Sequence, residues 1–231
     1  SNFCLELAAA ACKLGMKASF VLVKGVHSET QGNLLLHNIL DSDVQILELT
    51  DIHEAAGPVV SEKMNKVADD LRARGYNPFI IPWDDMNNIS LILEPVGWVN
   101  AADELTTQLK DKNIDARYVV LTVGGGGTQA GLVLGAKYLR ASWQVIGMSV
   151  LYNKDDAVAA IMQYIDATSN LLGLGIKVMA DDFEINDSYL GEYGIATREC
   201  IDAIRLVAQT EGIFLDPVYT GKGMAGLIDL V

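Results

Sequence analysis

The sequence predicts an α/β fold in which parallel strands are covered by helices on both faces. Short apolar runs typical of strands alternate along the 231 residues with segments of helical periodicity. Half of the residues are apolar, which is enough to build a sizeable core. No apolar run approaches the roughly 20 residues of a membrane helix. We therefore expect a folded cytoplasmic protein with one or two domains.

In the first part of the chain, helices and strands are expected to alternate. An Ala-rich helix over 3–14 ends before Gly15, and Ser61 is expected to cap a third helix. The predicted helices are 3–14, 33–40 and 61–74, and the predicted strands are 18–23, 44–49 and 78–81. Residues 83–95 have the weakest periodicity, so we expect a smaller lobe over 1–95 and a larger one over 96–231.

The larger lobe repeats the alternation with longer elements. A helix over 96–110 precedes a strand over 118–123, whose uninterrupted apolar character predicts a fully buried strand. The remaining elements are helix 128–139, strand 144–149, and helices 155–171, 197–209 and 222–231. Because parallel strands need crossover helices, this order predicts βαβ units.

Composition excludes several classes of protein. A formal net charge of −13 disfavours nucleic acid as a partner, since nucleic-acid binders carry clustered Lys and Arg. The cysteines and histidines are scattered without the spacing of a metal site, so none is predicted. We expect the cysteines to be small core residues and the histidines to be structural. They are Cys4, Cys12, Cys200, His27, His37 and His53.

A run of glycines lies between the strand 118–123 and the helix 128–139. It comprises Gly124, Gly125, Gly126, Gly127 and Thr128. Glycines allow positive φ and bring several N–H groups towards one anion, and a helix N-terminus adds its positive dipole end and here a hydroxyl. The run is neither a Walker loop nor a dinucleotide GxGxxG motif. It predicts a phosphate cradle for a small cofactor, with a plain tight turn as the alternative.

Three segments together resemble one family. They are Ser1-Asn2-Phe3 before the first helix, residues 123–132 around the glycine run, and residues 212–227 with the sequence GIFLDPVYTGKGMAGL. Residues 189–197 are a weaker match. These segments resemble the D-cysteine desulfhydrase and 1-aminocyclopropane-1-carboxylate (ACC) deaminase family. The resemblance implies a two-lobed tryptophan synthase β-like fold (fold type II), pyridoxal 5'-phosphate as cofactor, a small amino acid as substrate and a homodimer.

The resemblance also implies roles for individual residues. The loop 124–128 would hold the cofactor phosphate, and Asn2 would bond the phenolic oxygen beside the cofactor ring. Ser1 would contact the substrate carboxylate or move a proton. Tyr219 would donate a proton or bind the carboxylate, and Thr220 marks desulfhydrase-like members, because the deaminases have Glu there. From the residues alone, Ser1 and Asn2 could simply cap a helix, and Tyr219 could be a buried aromatic.

Some family features differ in this chain. The lysine that forms the family's Schiff base lies N-terminal to Ser1, and a Thr-Gly-Gly segment follows the last helix. We therefore expect a fold incomplete at both ends and an inactive chain. Phe3 stands where the family usually has His, and Gly125 stands where it commonly has Ser. Residues 83–87 stand where the family has a Gly-Gly-Ser segment. Lys222 is expected to be a surface or helix-start cation. Asp84 and Asp85 are expected to be a solvated loop.

Three functions remain open on the sequence alone. The leading one is β-elimination from D-cysteine, which releases sulfide, ammonia and pyruvate, or a related release of sulfite from cysteate. The second is the opening and deamination of ACC. The third is a non-catalytic protein that binds pyridoxal phosphate or another phosphate. It is favoured because the family's Schiff-base lysine is not among residues 1–231.

Overall fold

A computed structural model describes residues 2–24, 30–48, 57–82 and 89–231. The chain divides into two compact units, residues 1–85 and 86–231. The lobe boundary expected at residue 95 stays a prediction, and Pro95 itself lies inside a helix of the second unit. Some residues that the sequence singled out lie outside the described residues, namely Ser1, His27, His53 and the segment 83–87, which includes Asp84 and Asp85.

The first unit contains a parallel pair of strands and three helices. The elements are α1 (Asn2–Lys13), β1 (Ser19–Val23), α2 (Gly32–Ile39), β2 (Asp43–Leu47) and α3 (Pro58–Ala73). The strands β1 and β2 pair in parallel from Ser19 opposite Asp43 to Val23 opposite Leu47. α1 ends before Gly15, which has a φ of 71°. The predicted alternation is confirmed for these five elements.

Two local predictions in this unit are wrong. Ser61 does not cap α3, because Pro58 starts the helix three residues earlier and Gly57 is the N-cap residue. Proline suits this position since its fixed φ is helical and its missing N–H has no helical partner. Residues 78–81 form no strand, because Pro78 and Pro82 lack N–H donors. The side chain of Phe79 is accordingly 67% exposed.

The second unit is built on three parallel strands. Its elements are α4 (Ile89–Asp111), β3 (Tyr118–Val123), α5 (Gly127–Leu139), β4 (Gln144–Ser149), α6 (Lys154–Leu172), a 3₁₀ turn (Ala180–Asp182), β5 (Glu184–Asn186), α7 (Arg198–Glu211) and α8 (Thr220–Leu230). The strand order is β3-β4-β5. The sequence did not predict β5, which has three residues. The expected α/β fold with parallel sheets is confirmed.

Burial in the second unit increases towards the end of β3 that leads into the glycine run. Tyr118 is 56% exposed, residues 119–122 are half-buried and Val123 is 2% exposed, so the prediction of a fully buried strand is wrong except at its last residue. Helix α5 packs closely on α4, because a Cβ at Gly131 or Gly135 would lie within 2.5 Å of α4. Among the described helices, none is long and apolar enough to cross a membrane.

Candidate active site

The glycine run connects β3 to α5, as the sequence predicts. Gly126 is the N-cap residue of α5, with φ 99° and ψ −11°. A side chain would be strained in this conformation. It would also collide, since a Cβ there would lie 2.9 Å from Cγ1 of the buried Ile161. Positive φ was expected along the whole run, but of the four glycines only Gly126 has it.

The N-terminus of α5 is open to an anion. Its N-cap residue, Gly126, has no side chain that could cap it, and the N–H of Ala130 bonds the carbonyl of Gly126 at 2.9 Å. The N–H groups that precede Ala130 in the first turn have no acceptor within the helix. Among the described residues, nothing lies within 4 Å of a Cβ placed at Gly125. N–H donors without an acceptor in the helix and the positive end of the helix dipole together suit a phosphate group.

A carboxylate lies against this loop. The side chain of Glu94 on α4 is so close that a Cβ at Gly127 would lie 2.7 Å from its Oε2. The Thr128 hydroxyl donates to Oε1 of Glu94 at 3.2 Å. A hydroxyl has one hydrogen, so in this arrangement Thr128 offers its backbone N–H rather than its hydroxyl to an anion. Glu94 was not predicted from the sequence, because the start of this helix was expected at residue 96.

Tyr219 lies beside the same loop. A Cβ at Gly124 would be 3.8 Å from Cε1 of Tyr219. The hydroxyl of Tyr219 is 2.6 Å from that of Tyr193, and the two rings meet edge to face with centroids 6.2 Å apart. Tyr193 is 38% exposed. It belongs to the matching segment 189–197, yet no role was predicted for it, since 26 residues separate the two tyrosines.

Asp216 organises the turn that carries Tyr219. Its carboxylate accepts the N–H groups of Val218, Tyr219 and Thr220 at 2.8 to 3.0 Å and the hydroxyl of Thr220 at 2.6 Å. Burial opposes its ionisation, but these hydrogen bonds outweigh burial and lower the pKa of Asp216 below its usual value. The exposed Thr220 thus contacts Asp216. Its expected contact with substrate stays a prediction.

Lys222 follows in the first turn of α8. The prediction of a helix-start cation is confirmed, whereas that of a surface residue is wrong, because the side chain is 0% exposed. Its Nζ donates to the carbonyls of Leu190 and Glu192 at 2.7 and 2.8 Å. Burial lowers the pKa of Lys222, with partial compensation from the Cys200 thiol and the Glu192 carboxylate.

Asn2 lies in the first unit, at the start of α1. Its Oδ1 accepts a hydrogen bond from Nδ2 of Asn33 at 2.7 Å. This contact orients the exposed amide, because it uses the oxygen of Asn2 as acceptor. The amide nitrogen of Asn2 is the atom that could donate a hydrogen bond to a phenolic oxygen. The expected roles of Asn2 and Ser1 stay predictions.

The remaining cysteine and histidine predictions have mixed outcomes. Cys200 is buried as expected, whereas Cys4 is half-buried and Cys12 is exposed, so these two are not core residues. His37 is buried against the ring of Phe20, with centroids 4.8 Å apart, which agrees with a structural residue.

Parallel strands and an open helix N-terminus after a glycine loop define an α/β protein with a site suited to a phosphate group. A family model described as "Pyridoxal-phosphate dependent enzyme" matches residues 1–231. The chain therefore belongs to this family of pyridoxal-phosphate-dependent enzymes.

Individual relatives agree with the family. A putative ACC deaminase of Pyrococcus abyssi is 34% identical over 230 residues, which cover 100% of this chain and 66% of the relative. A D-cysteine desulfhydrase of Serratia proteamaculans is 31% identical over 234 residues, with 99% and 67% covered. The chain thus spans about two thirds of the length of these proteins.

Solved structures show the same fold. The crystal structure of an ACC deaminase homologue matches with a TM-score of 0.83 at 32% identity, covering 100% of this chain and 66% of that one. A serine racemase from Dictyostelium discoideum matches with a TM-score of 0.60 at 18% identity, covering 99% and 67%. The second similarity concerns the fold alone. The expected tryptophan synthase β-like fold is confirmed.

The site fits the cofactor of the family. A cofactor phosphate needs several N–H donors and close approach of the backbone, and the start of α5 offers N–H donors without an acceptor in the helix, beside Gly125, whose Cβ position has no neighbour within 4 Å among the described residues. Tyr219 lies next to this loop.

Proposed function

We propose that the protein is a lyase that uses pyridoxal phosphate to eliminate sulfide from D-cysteine. In the balanced reaction, D-cysteine and water give pyruvate, ammonia and hydrogen sulfide. The observation that carries this choice is Thr220 directly after Tyr219, since family resemblance associates Thr with desulfhydrases and Glu with deaminases. Relatives named D-cysteine desulfhydrase at 31 to 32% identity support it.

Separate residues of the chain would bind the cofactor and the substrate. The loop 124–128 and the first turn of α5 would hold the phosphate. Bound pyridoxal phosphate supplies an electron sink for the bond that breaks at the α-carbon. Asn2 would donate to the phenolic oxygen, and Ser1 would contact the substrate carboxylate. These assignments rest on the resemblance and on the local geometry of each residue that the structure describes.

Tyr219 would supply a proton through its hydroxyl. Two hydroxyls 2.6 Å apart share one hydrogen, so the proton of one hydroxyl remains directed elsewhere. The Tyr193–Tyr219 pair can therefore hold one proton between its oxygens and present the other to a substrate group. Asp216 fixes the turn through three backbone N–H groups and so limits the positions that Tyr219 can adopt.

The experiment has a binding arm and a product arm. Residues 1–231 should bind pyridoxal phosphate in equilibrium dialysis, and inorganic phosphate should compete. Sulfide and pyruvate should form from D-cysteine with a form of the protein that includes the family's lysine N-terminal to Ser1. We expect none from residues 1–231 alone. No cofactor binding by either form would refute the proposal.

ACC deamination is the second candidate, because the relatives that are 34% identical are named putative ACC deaminases. Formation of 2-oxobutanoate from ACC in place of sulfide from D-cysteine would establish it. A Thr220→Glu variant should lower the sulfide rate, with Thr210→Glu on the exposed end of α7 as a matched control. Family resemblance also supports a cytoplasmic homodimer, which sedimentation of the purified protein tests.

A further inference from the structure

Lys222 is a buried charged side chain for which the proposed reaction has no use. It lies three residues after Tyr219 on α8 and is 0% exposed. Its Nζ is bonded to two backbone carbonyls, those of Leu190 and Glu192. Within the described residues it forms no ion pair with a carboxylate, so carbonyl dipoles compensate its burial. Burying an ammonium group is costly, which indicates that this position needs it.

The two carbonyls belong to an irregular segment between β5 and α7. Gly191, between them, has a φ of 53°, and a Cβ there would lie 2.8 Å from Cγ2 of Thr197 and 3.7 Å from Nζ of Lys222. The segment 190–192 therefore curves around the ammonium group, and its conformation requires a glycine. Without the lysine, two partly buried carbonyls would lose this donor.

The same segment carries Tyr193, one residue beyond the second carbonyl. The segment and the start of α8 thus meet at two places, through the ammonium of Lys222 and through the hydroxyls of Tyr193 and Tyr219. The ammonium contact is part-buried and has two hydrogen bonds from a charged donor, whereas the tyrosine contact is exposed. Hydrogen bonds to charged groups are the stronger ones, so the lysine contact dominates.

We propose that Lys222 is a positioning residue that holds the segment 190–193 so that the hydroxyl of Tyr193 stays bonded to that of Tyr219. The inference rests on the proposed role of Tyr219. Lys222 acts through the segment and touches neither substrate nor cofactor.

The first test measures amide hydrogen exchange in Lys222→Met, which keeps the length of the side chain and removes the charge. We expect exchange of the amides of 189–194 to rise at least roughly tenfold relative to the rest of the second unit. Lys137→Met is the matched control, since Lys137 on α5 is ion-paired with Asp182, away from this segment. A rise that is uniform over the second unit would indicate general stabilisation and overturn the proposal.

A second variant serves if Lys222→Met does not fold. Gly191→Ala leaves the ammonium in place and displaces the carbonyl segment, because its Cβ meets Thr197. It should raise exchange over 189–194 in the same way. Unchanged exchange in this variant would overturn the proposal.

The third measurement asks whether the tyrosine pair responds. In urea unfolding, the free energy lost by the double variant Lys222→Met/Tyr193→Phe should be smaller than the sum of the losses of the two single variants, because loss of Lys222 already weakens the contact of Tyr193 with Tyr219. In the form that releases sulfide, kcat/KM should behave in the same non-additive way. Fully additive effects would overturn the proposal. Absence of sulfide from the unsubstituted protein would refute the proposed function alone, because hydrogen exchange and urea unfolding need no activity.

Discussion

Replacement of Gly126 by alanine tests the reasoning about the phosphate loop most directly. The residue has a φ of 99°, and a left-handed conformation costs a non-glycine residue about 1–3 kcal/mol. A Cβ would lie 2.9 Å from Cγ1 of Ile161, which is fully buried and cannot move outwards. Overpacking of this kind costs about 1–3 kcal/mol more. We expect Gly126→Ala to lose on the order of 2–6 kcal/mol of unfolding free energy.

Urea unfolding of residues 1–231, followed by circular dichroism, measures this loss. Gly125→Ala is the matched control for stability, because within the described residues its Cβ would meet nothing within 4 Å and its φ is not positive. Pyridoxal phosphate should bind much more weakly to Gly126→Ala, since the donors at the start of α5 are displaced. Equal unfolding midpoints for the two variants would show that the loop geometry is wrong.

Three further expectations concern charges. Glu94→Gln should tighten binding of inorganic phosphate by roughly fivefold, as removal of a nearby charge is worth about 1 kcal/mol. Glu104→Gln, exposed on the same helix, should not, and equal effects would contradict the role of Glu94. Asp216→Asn should destabilise the protein by about 1–3 kcal/mol at neutral pH. Because the pKa of Asp216 is lowered, its contribution is complete above the ordinary value of 3.8 and is lost on acidification, so the variant's stability should vary less with pH there. Burial lowers the pKa of His37 from 6.5, so the unfolded chain binds this proton first and stability should fall as pH drops below 6.5. Thermal unfolding at several pH values should show a smaller fall in His37→Phe.

The sequence was sufficient where local patterns decide the structure. The bounds of β3 and β4 are those predicted, because β-rich apolar runs end at glycines or at polar residues. The glycine run was found for the same reason, since its chemistry depends on consecutive residues. Residues 78–81 show the limit of this reasoning, because apolar character predicted a strand and the flanking prolines prevented one.

The rest of the candidate site depends on contacts between distant parts of the chain. Glu94 lies 34 residues before Thr128, and Tyr193 lies 26 residues before Tyr219. No periodicity within either segment indicates such a pairing. The burial of Lys222 was missed for a related reason, since its compensation comes from backbone carbonyls, which every residue has. Resemblance to the family suggested a role for Tyr219, and the structure shows Tyr193 beside it.

The close packing of α5 on α4 has a thermodynamic consequence for ligand binding. A Cβ at Gly131 would lie 2.4 Å from the carbonyl oxygen of Pro95, and one at Gly135 would lie 2.5 Å from Cβ of Ala102. The two helices therefore interlock and hold the N-terminus of α5 in one place. A phosphate group then meets donors that are already aligned, and its binding orders little additional chain. Calorimetry should accordingly show only a small unfavourable entropy from ordering of the loop. Stopped-flow measurement of the binding rate should show that encounter, rather than rearrangement of the loop, limits the rate.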